Sequence, residues 1–310
     1  MQCDYCGMEF SYSDNEAGLC SICFSRVTEG KLKLCTSCGR YQPSSLFADG
    51  VCDDCIRLIK YASFKPKPRF KTVEGDTDNI FIGFELEAGE LEYRCDCMDT
   101  AEVVNNLGEG FLYLKEDCSI PDYGFEVVTH PASLQFHRQW KHDEVLKVMR
   151  EAGMLSHDAD EPCGLHVHVN RSALSSMKWL FVDWFVNKHK DFWIKVARRE
   201  DDYYAAYTDI HYEVHICNNK LKDICGKSSD KFVAVNFCHT HSVEFRIFRG
   251  TLHYKTLLGT LELIHALISW AKEVKMHDVL LTGALPLFID FVKTHDYPAG
   301  VEYLKARRII

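Results

Sequence analysis

Beyond residue 78 the chain alternates apolar and polar positions in short runs with a period of two, the mark of strands with one buried face. Ile80 to Ala88, Phe111 to Lys115, Phe125 to Thr129 and Cys163 to Asn170 fit this pattern. Lys231 to Phe237 and Ser242 to Phe248 fit it too and predict a hairpin turning through Cys238 to His241. Between the strands the period changes to that of helices. Asp99 caps a short helix that stops at Gly108, and Ser133 opens one that runs to Gly153 with Leu134, Trp140, Val145 and Val148 among its apolar positions. Residues 172–198 predict a long aromatic helix, with Leu180, Trp184 and Val196 packed on the sheet. Residues 255–275 carry Leu257, Leu261, Ile264, Leu267 and Ile268 at helical spacing, and two further helices close the chain. Strands with helices appended in no strict βαβ rhythm predict an α+β fold, a mainly antiparallel sheet with packed helices.

Charge breaks the alternation in four places. Phe84 to Glu87, Asp117 to Glu126, Cys163 to Asn170 and Val243 to Thr251 place acids, histidines or arginines inside apolar strands. A buried carboxylate without a partner costs several kcal/mol or is driven to its neutral form, so such positions point to metal ions and anionic ligands. Side chains two apart on a strand share a face at roughly 6.6 Å. Glu85 therefore points with Glu87, His166 with His168 and Asn170, and Glu244 with Arg246, while Val167, Val169, Phe245 and Ile247 face the core. Strict alternation sends Arg249 to the face opposite Arg246 unless a bulge near Gly250 re-aims it. Asn236, Arg198 and Arg199 are candidates of the same kind. His239 and His241 sit on the hairpin turn, exposed beside the Glu244 strand.

The blocks GFELE, DCSI with GFEVVTHP, CGLHVHVN, and AVNF followed by VEFRIFRGTL occur in that order over roughly residues 79–275. Together they resemble the amidoligase family of carboxylate–amine ligases, which has a glutamine-synthetase-like fold. The resemblance implies that Glu85 and Glu87 bind separate ions, with Glu126 joining Glu87 and with His166 and Glu244 joining Glu85. It implies that His168 touches the nucleotide phosphates, with Arg249 on the cofactor side. Arg246 would hold a substrate carboxylate or stabilise charge on the transferring phosphoryl group. Asn170 and Asp117 fall on the substrate side, although the loop Cys118–Gly124 departs from the family pattern.

The chemistry so implied is ATP-dependent formation of an amide or isopeptide bond between a carboxylate and an amine, through an acyl phosphate. Phosphoryl transfer asks the protein mainly for positioning and for cations on the phosphate oxygens, here Mg²⁺ or Mn²⁺, two ions. The imidazole among the ligands admits manganese beside magnesium. Two alternatives stay open: a metal-dependent hydrolase using the His-x-His strand to activate water, and a non-catalytic zinc-finger adaptor.

Before residue 60 the pattern is different. Cys3-x2-Cys6, thirteen residues, Cys20-x2-Cys23 repeats at an offset of 32 as Cys35-x2-Cys38, thirteen residues, Cys52-x2-Cys55. Four thiolates in two such pairs match a structural zinc, and Gly7 and Gly39 suit the tight knuckle that turns backbone amides toward the sulfurs. Each zinc takes both pairs of one repeat or exchanges pairs with the other, the first arrangement being simpler. About 30 residues bury too little core to fold alone, so each unit depends on its metal. Disulfides fit poorly, since the 15 cysteines are odd in number and no signal peptide or transmembrane run precedes them, which predicts a reducing, cytoplasmic setting with no membrane contact. The remaining cysteines read as ordinary thiols, with Cys95 and Cys97 in a loop before Asp99.

These readings divide the chain into zinc modules at 1–29 and 30–59, a basic Pro-containing linker at 60–78, and a catalytic domain at 79–310. Residues 1–59 hold five Lys and Arg against eight Asp and Glu, and the net charge is −9. Both argue against nucleic acid as a partner and favour a protein bound through the zinc modules. The linker carries Lys60, Lys65, Lys67, Arg69 and Lys71 between Pro66, Pro68, Tyr61, Phe64 and Phe70, and is expected to be stiff and solvated. Removal of residues 1–59 is then expected to spare ATP turnover with small amines. The amine and carboxylate substrates, a protein or peptide among them, are not legible.

Overall fold

A computed structural model of the chain describes residues 2–10, 18–36, 39–48, 50–53, 57–120, 123–157, 163–200, 205–207 and 232–310. Cys38, Cys55, Cys217, Cys225, Lys231, Tyr203, Tyr204 and most of the loop 200–227 lie outside these residues. The N-terminal part contains helix α1 (Ser21–Thr28), the antiparallel pair β1 (Leu32–Leu34) and β2 (Tyr41–Pro43), and the small hairpin β3 (Phe47–Ala48) with β4 (Val51–Cys52). Then follow β5 (Ile59–Lys60), β6 (Ile82–Leu91), α2 (Arg94–Gly108), β7 (Leu112–Lys115) and β8 (Tyr123–Thr129). Next come α3 (Leu134–Gln139), α4 (His142–Glu151), β9 (Gly164–Asn170), α5 (Ser176–Lys188) and α6 (Lys190–Ala197). The chain ends with β10 (Val235–Asn236), β11 (Ser242–Arg249), α7 (Tyr254–Glu273), α8 (Met276–Thr282), α9 (Ala284–Thr294) and α10 (Pro298–Ala306).

A mixed α+β architecture results. One sheet runs in the order β10-β11-β9-β6-β8-β7-β5, antiparallel throughout except for the parallel pair β5 and β7. β6 lies in its middle because Ile82, Phe84, Leu86 and Ala88, every second residue, are apolar and buried on one face. Val167 and Val169 of β9, Phe125 and Val127 of β8 and Phe245 of β11 extend that face, which the helices cover. α7, buried nearly all round, is the spine of the helical layer and meets α3, α4, α5, α9 and α10. Its one buried acid, Glu262, is paired with Arg138 at 2.8 Å and accepts a bond from the backbone N–H of Gly300. Burial on the helix side therefore leaves the other face of the sheet to carry the polar residues.

Several elements differ from the expected ones for local physical reasons. The helix expected from Asp99 begins at Arg94, so Cys95 and Cys97 stand in its first turn rather than in a loop; Cys97, Ala101 and Val104 form its buried stripe. The helix from Ser133, whose hydroxyl caps Phe136 N–H, breaks at Trp140, where the backbone becomes extended and His142 stacks on His137. The long aromatic helix is two, α5 and α6, separated at His189. Its buried face is Trp179, Val182, Phe185 and Val186, with Phe185 turned onto Trp270 of α7, whereas Leu180 and Trp184 are only half-buried. Three helices, not two, follow α7, and β10 is two residues long.

The segment after the cysteine repeats shows the largest difference. Phe64 is buried with Cys35 and Cys52 and meets Tyr113 edge-on, so the linker is anchored rather than solvated. Lys71 is also held: its N–H donates to Pro131 O and its carbonyl accepts from Ser133 N–H. At its far end Asp78 meets His265 of α7 at 2.5 Å. Because Ile59 and Lys60 form β5 and pair with Leu114 and Lys115, the boundary expected after residue 59 runs through a strand of the sheet. No described helix is long and apolar enough to cross a membrane.

Candidate active site

Cross-strand register assembles the polar face. Glu85 lies opposite His166 on one side and Val128 on the other, Glu87 opposite Glu126, and Glu126 opposite Lys115. His168 lies between Gly83 and Glu244, and Glu244 opposite Asn236. Residues directly opposite point to the same side. Five strands thus present acids, imidazoles and cations to one another across the chain's largest sheet.

The distances are those of a ligand cluster. His166 Nδ1 is 3.8 Å from a Glu85 oxygen and 3.6 Å from one of Glu244, and His168 Nε2 is 3.6 Å from the other Glu85 oxygen. Three sets offer donor atoms within 4.8 Å of one another: Glu85–His168–Glu244, Glu85–Glu126–His166 and Glu87–Asp117–Glu126. The all-oxygen third set suits a hard cation such as Mg²⁺, and the mixed imidazole–carboxylate sets suit Mg²⁺ or Mn²⁺. Among the described residues Asp117, expected on the substrate side, stands with Glu87 and Glu126 as a potential ligand, its Oδ1 fixed by Ser119 N–H at 2.7 Å.

Surrounding bonds hold the carboxylates in place. Glu244 accepts from Asn236 Nδ2 at 2.7 Å and Arg246 Nη1 at 2.6 Å, and His239 Nε2 lies 3.0 Å away. Glu87 accepts from Gly164 N–H at 2.7 Å, and Glu126 from Lys115 Nζ at 2.9 Å. Burial opposes ionisation of Glu85, but the charges of His168 and His166 outweigh it and hold the carboxyl well below the usual range. Glu244 is likewise lowered: burial opposes, and His239, His168, His166 and Arg246 prevail. His168 is raised, burial being outweighed by Glu85. Glu126 goes the other way, pushed well above the usual range by burial and by the Glu85 charge despite Lys115. Lys115 itself is raised by Glu126 and Glu85 against the effect of burial. One ammonium among so many carboxylates leaves a shortfall of positive charge, which falls on Glu126; a bound cation would remove it.

Arg249 shares this face. β11 bulges at Arg246 and Ile247, so two residues there oppose His166 alone, and beyond the bulge Arg249 pairs with Gly164 of the polar side. The bulge thus lies three residues before Gly250, not beside it. Arg199 also approaches, its Nη1 3.6 Å from where a Cβ on Gly164 would lie, while Arg198 donates instead to the carbonyl of Arg249 at 3.3 Å. Asn170 stands at the rim with its amide engaged by Phe81 N–H, Asn79 O and Ser172 Oγ, pinning the strand end. Lys115 and Tyr113 escaped the sequence reading. The alternation Tyr113, Lys115, Asp117 was the available signal. Burial and the charges of Glu85 and Glu126 push the Tyr113 hydroxyl upward, so it stays a neutral donor.

A second ligand cluster lies near the N-terminus, where Cys3, Cys6, Cys20 and Cys23 bring their sulfurs together. Four thiolates match a tetrahedral cation. Gly7 and Gly39 both adopt positive φ, 70° and 67°, and each donates its N–H to the carbonyl of Cys3 or Cys35 at 2.9 Å, the same knuckle in both repeats. Burial would raise the Cys3 thiol, yet the backbone amides of Cys6, Cys20 and Tyr5 lower it to about 6. Burial and the neighbouring sulfurs raise Cys23 to about 12. One thiolate forms readily and the last needs a cation. The first repeat uses its own two pairs; in the second, Cys52 N–H donates to Cys35 Sγ at 3.4 Å, so those two also lie within one repeat.

No protein-family model matches the chain. No curated protein matches it. Among solved structures it is similar to the complex between the prokaryotic ubiquitin-like protein Pup and its ligase PafA, at 8% identity and a TM-score of 0.34. That match covers 62% of this chain and 46% of the other, so the chain spans less than half of that protein's length. A likeness at this level carries no argument about activity.

Proposed function

We propose that the chain is an ATP-dependent carboxylate–amine ligase that activates a carboxylate as its acyl phosphate and passes the acyl group to an amine. One observation carries this reading: Glu85, Glu87, Glu126, His166, His168, Glu244 and Arg246, drawn from four strands, meet on one face at ligand distances. Glu87, Glu126 and Asp117 would hold one divalent ion, and Glu85 with His166 or His168 and Glu244 a second. Bound there, the ions would neutralise charge on the ATP phosphates. His168, raised toward its cationic form, faces the phosphates. Arg246, held by Glu244 at 2.6 Å, binds the substrate carboxylate or the transferring phosphoryl group. Arg249 adds a second guanidinium on that side. The four sulfurs Cys3, Cys6, Cys20 and Cys23 would hold a structural Zn²⁺, with Cys35, Cys38, Cys52 and Cys55 as its counterpart, and the zinc-bearing part would contact a protein partner or substrate.

The test pairs calorimetry with product analysis. MgATP should bind the full chain, and Glu85→Gln should weaken that binding by about tenfold or more, the loss of one charged ligand. Incubation with MgATP and a pool of amines and carboxylates should yield products lighter than their sum by one water, read by mass spectrometry. A protein that binds no nucleotide and instead hydrolyses amides or esters with metal alone would replace this reading with the hydrolase.

A further inference from the structure

A cavity of about 220 Å³ opens beside Glu85 and His168, and the sheet supplies only part of its wall. Gly83, Asn170 and Ser242 line the sheet side; Pro66, Pro68 and Phe70 line the other. Those three belong to the segment that joins the second cysteine repeat to β6. The segment is fastened at both ends like a strap. Below, β5 pairs with β7, Arg57 meets Glu116 at 2.7 Å, and Phe64, 5% exposed, is buried with Cys35 and Cys52. Above, Lys71 is hydrogen-bonded to Pro131 and Ser133. Between these anchors the two prolines fix φ and lack an N–H, so the strap offers hydrocarbon rather than amide surface.

Phe70 is the residue without a structural explanation. The residue is 55% exposed although its ring packs T-shaped with that of Phe81, the centroids 4.9 Å apart. His168 lines the same cavity, and its buried Nε2 makes no hydrogen bond, the nearest carboxylate oxygen being that of Glu85 at 3.6 Å. The strap side of the wall is therefore aromatic and apolar, and the sheet side carries the His168 imidazole and the Glu85 carboxylate. The volume is below the roughly 300–1,000 Å³ that encloses a whole drug-sized ligand and suits a single ring system.

We propose that the strap is the base-stacking wall of the nucleotide site: the ring of a nucleoside triphosphate stacks against Pro68 and Phe70 while its phosphates run toward His168. The inference rests on the ligase reading and adds to it a contact for the nucleobase, supplied by the segment between the second cysteine repeat and β6. Aromatic stacking tolerates any base, so this wall selects for the presence of a ring more than for its identity.

The experiment compares MgATP with magnesium tripolyphosphate, which keeps the anionic end and lacks the ring, by calorimetry on the full-length protein. The wild type should prefer MgATP by about tenfold or more, and Phe70→Ala should reduce that preference to about twofold with tripolyphosphate affinity unchanged. Phe70→Tyr should restore it. Pro66→Ala with Pro68→Ala provides a second route, and a melting curve for each variant separates a lost wall from a lost fold. Equal binding of both probes to the wild type, or a preference that survives Phe70→Ala and the proline pair, overturns the wall and leaves the ligase reading standing. Binding of neither probe overturns both.

Discussion

The four sulfurs near the N-terminus and the acids on the sheet are both dense ligand clusters, but opposite forces hold them together. Among the described residues the fully buried apolar company of Cys3, Cys20 and Cys23 is Leu19 and Leu32, with Tyr5, Phe10, Val27 and Tyr41 half-buried around it, so little besides a shared cation would oppose the repulsion of thiolates. The acids sit on a seven-stranded sheet whose other face is buried by an entire helical layer, and that core fixes their spacing before anything binds. A site made by local spacing would need a metal to exist. A site made by cross-strand register would not.

Chelation gives the largest separation between the two. Removing the metal should cost the first cysteine unit on the order of 10 kcal/mol and unfold it. Hydrogen exchange should then show α1 and β1 losing protection while β6 and β9 keep theirs; joint loss would mean that one cooperative unit spans both regions.

Acid should attack the sheet region by its own route. Burial drives His137 down to about 4 from an ordinary 6.5, and its neighbour His142 well below that value, so both imidazoles are neutral in the fold. The unfolded chain binds these protons first. Stability is therefore full above about 6.5 and falls as pH drops toward 4, by on the order of 3 kcal/mol for His137. Urea unfolding of the chelated protein across that window should show the decline, and a flat profile would remove the imidazole pair as its cause.

Gly124 tests the register. A Cβ there would lie 2.4 Å from Ala88 O and 2.5 Å from Gly89 Cα, backbone that cannot move aside at the point where β6 and β8 shift register. Gly124→Ala should cost about 1–3 kcal/mol of sheet stability and leave the sulfur cluster untouched. A melting temperature equal to the wild type would show that the strand pair relaxes freely.

The strap blurs the contrast at one place. The second cysteine repeat buries Phe64 against Tyr113 and extends the sheet through β5, so it is built into the sheet body and not hung from it. Truncation at residue 59, expected from the linear order of motifs to spare ATP turnover, would instead remove half of β5 and Cys35 and Cys52, against which Phe64 is buried.

Much of this molecule was legible in the chain. Alternation placed Glu85 with Glu87 and His166 with His168, and the spacing of Cys3, Cys6, Cys20 and Cys23 marked one ligand set, because both depend on geometry within a few bonds of the backbone. Breaks at Trp140 and His189 were not legible, since Trp140 packs on the distant Phe111 and the rings flanking His189, Phe185 and Trp193, both pack on Phe288. Lys115 hid in an ordinary strand pattern until register set it against Glu126. Local periodicity fixed which residues share a strand face and which chemistry they bring. Which faces meet, the bulge that turns Arg249 inward, the arrival of Asp117 among the acids and the strap across the cavity were decided only by the tertiary structure, because a core packed from segments far apart in sequence sets register between strands.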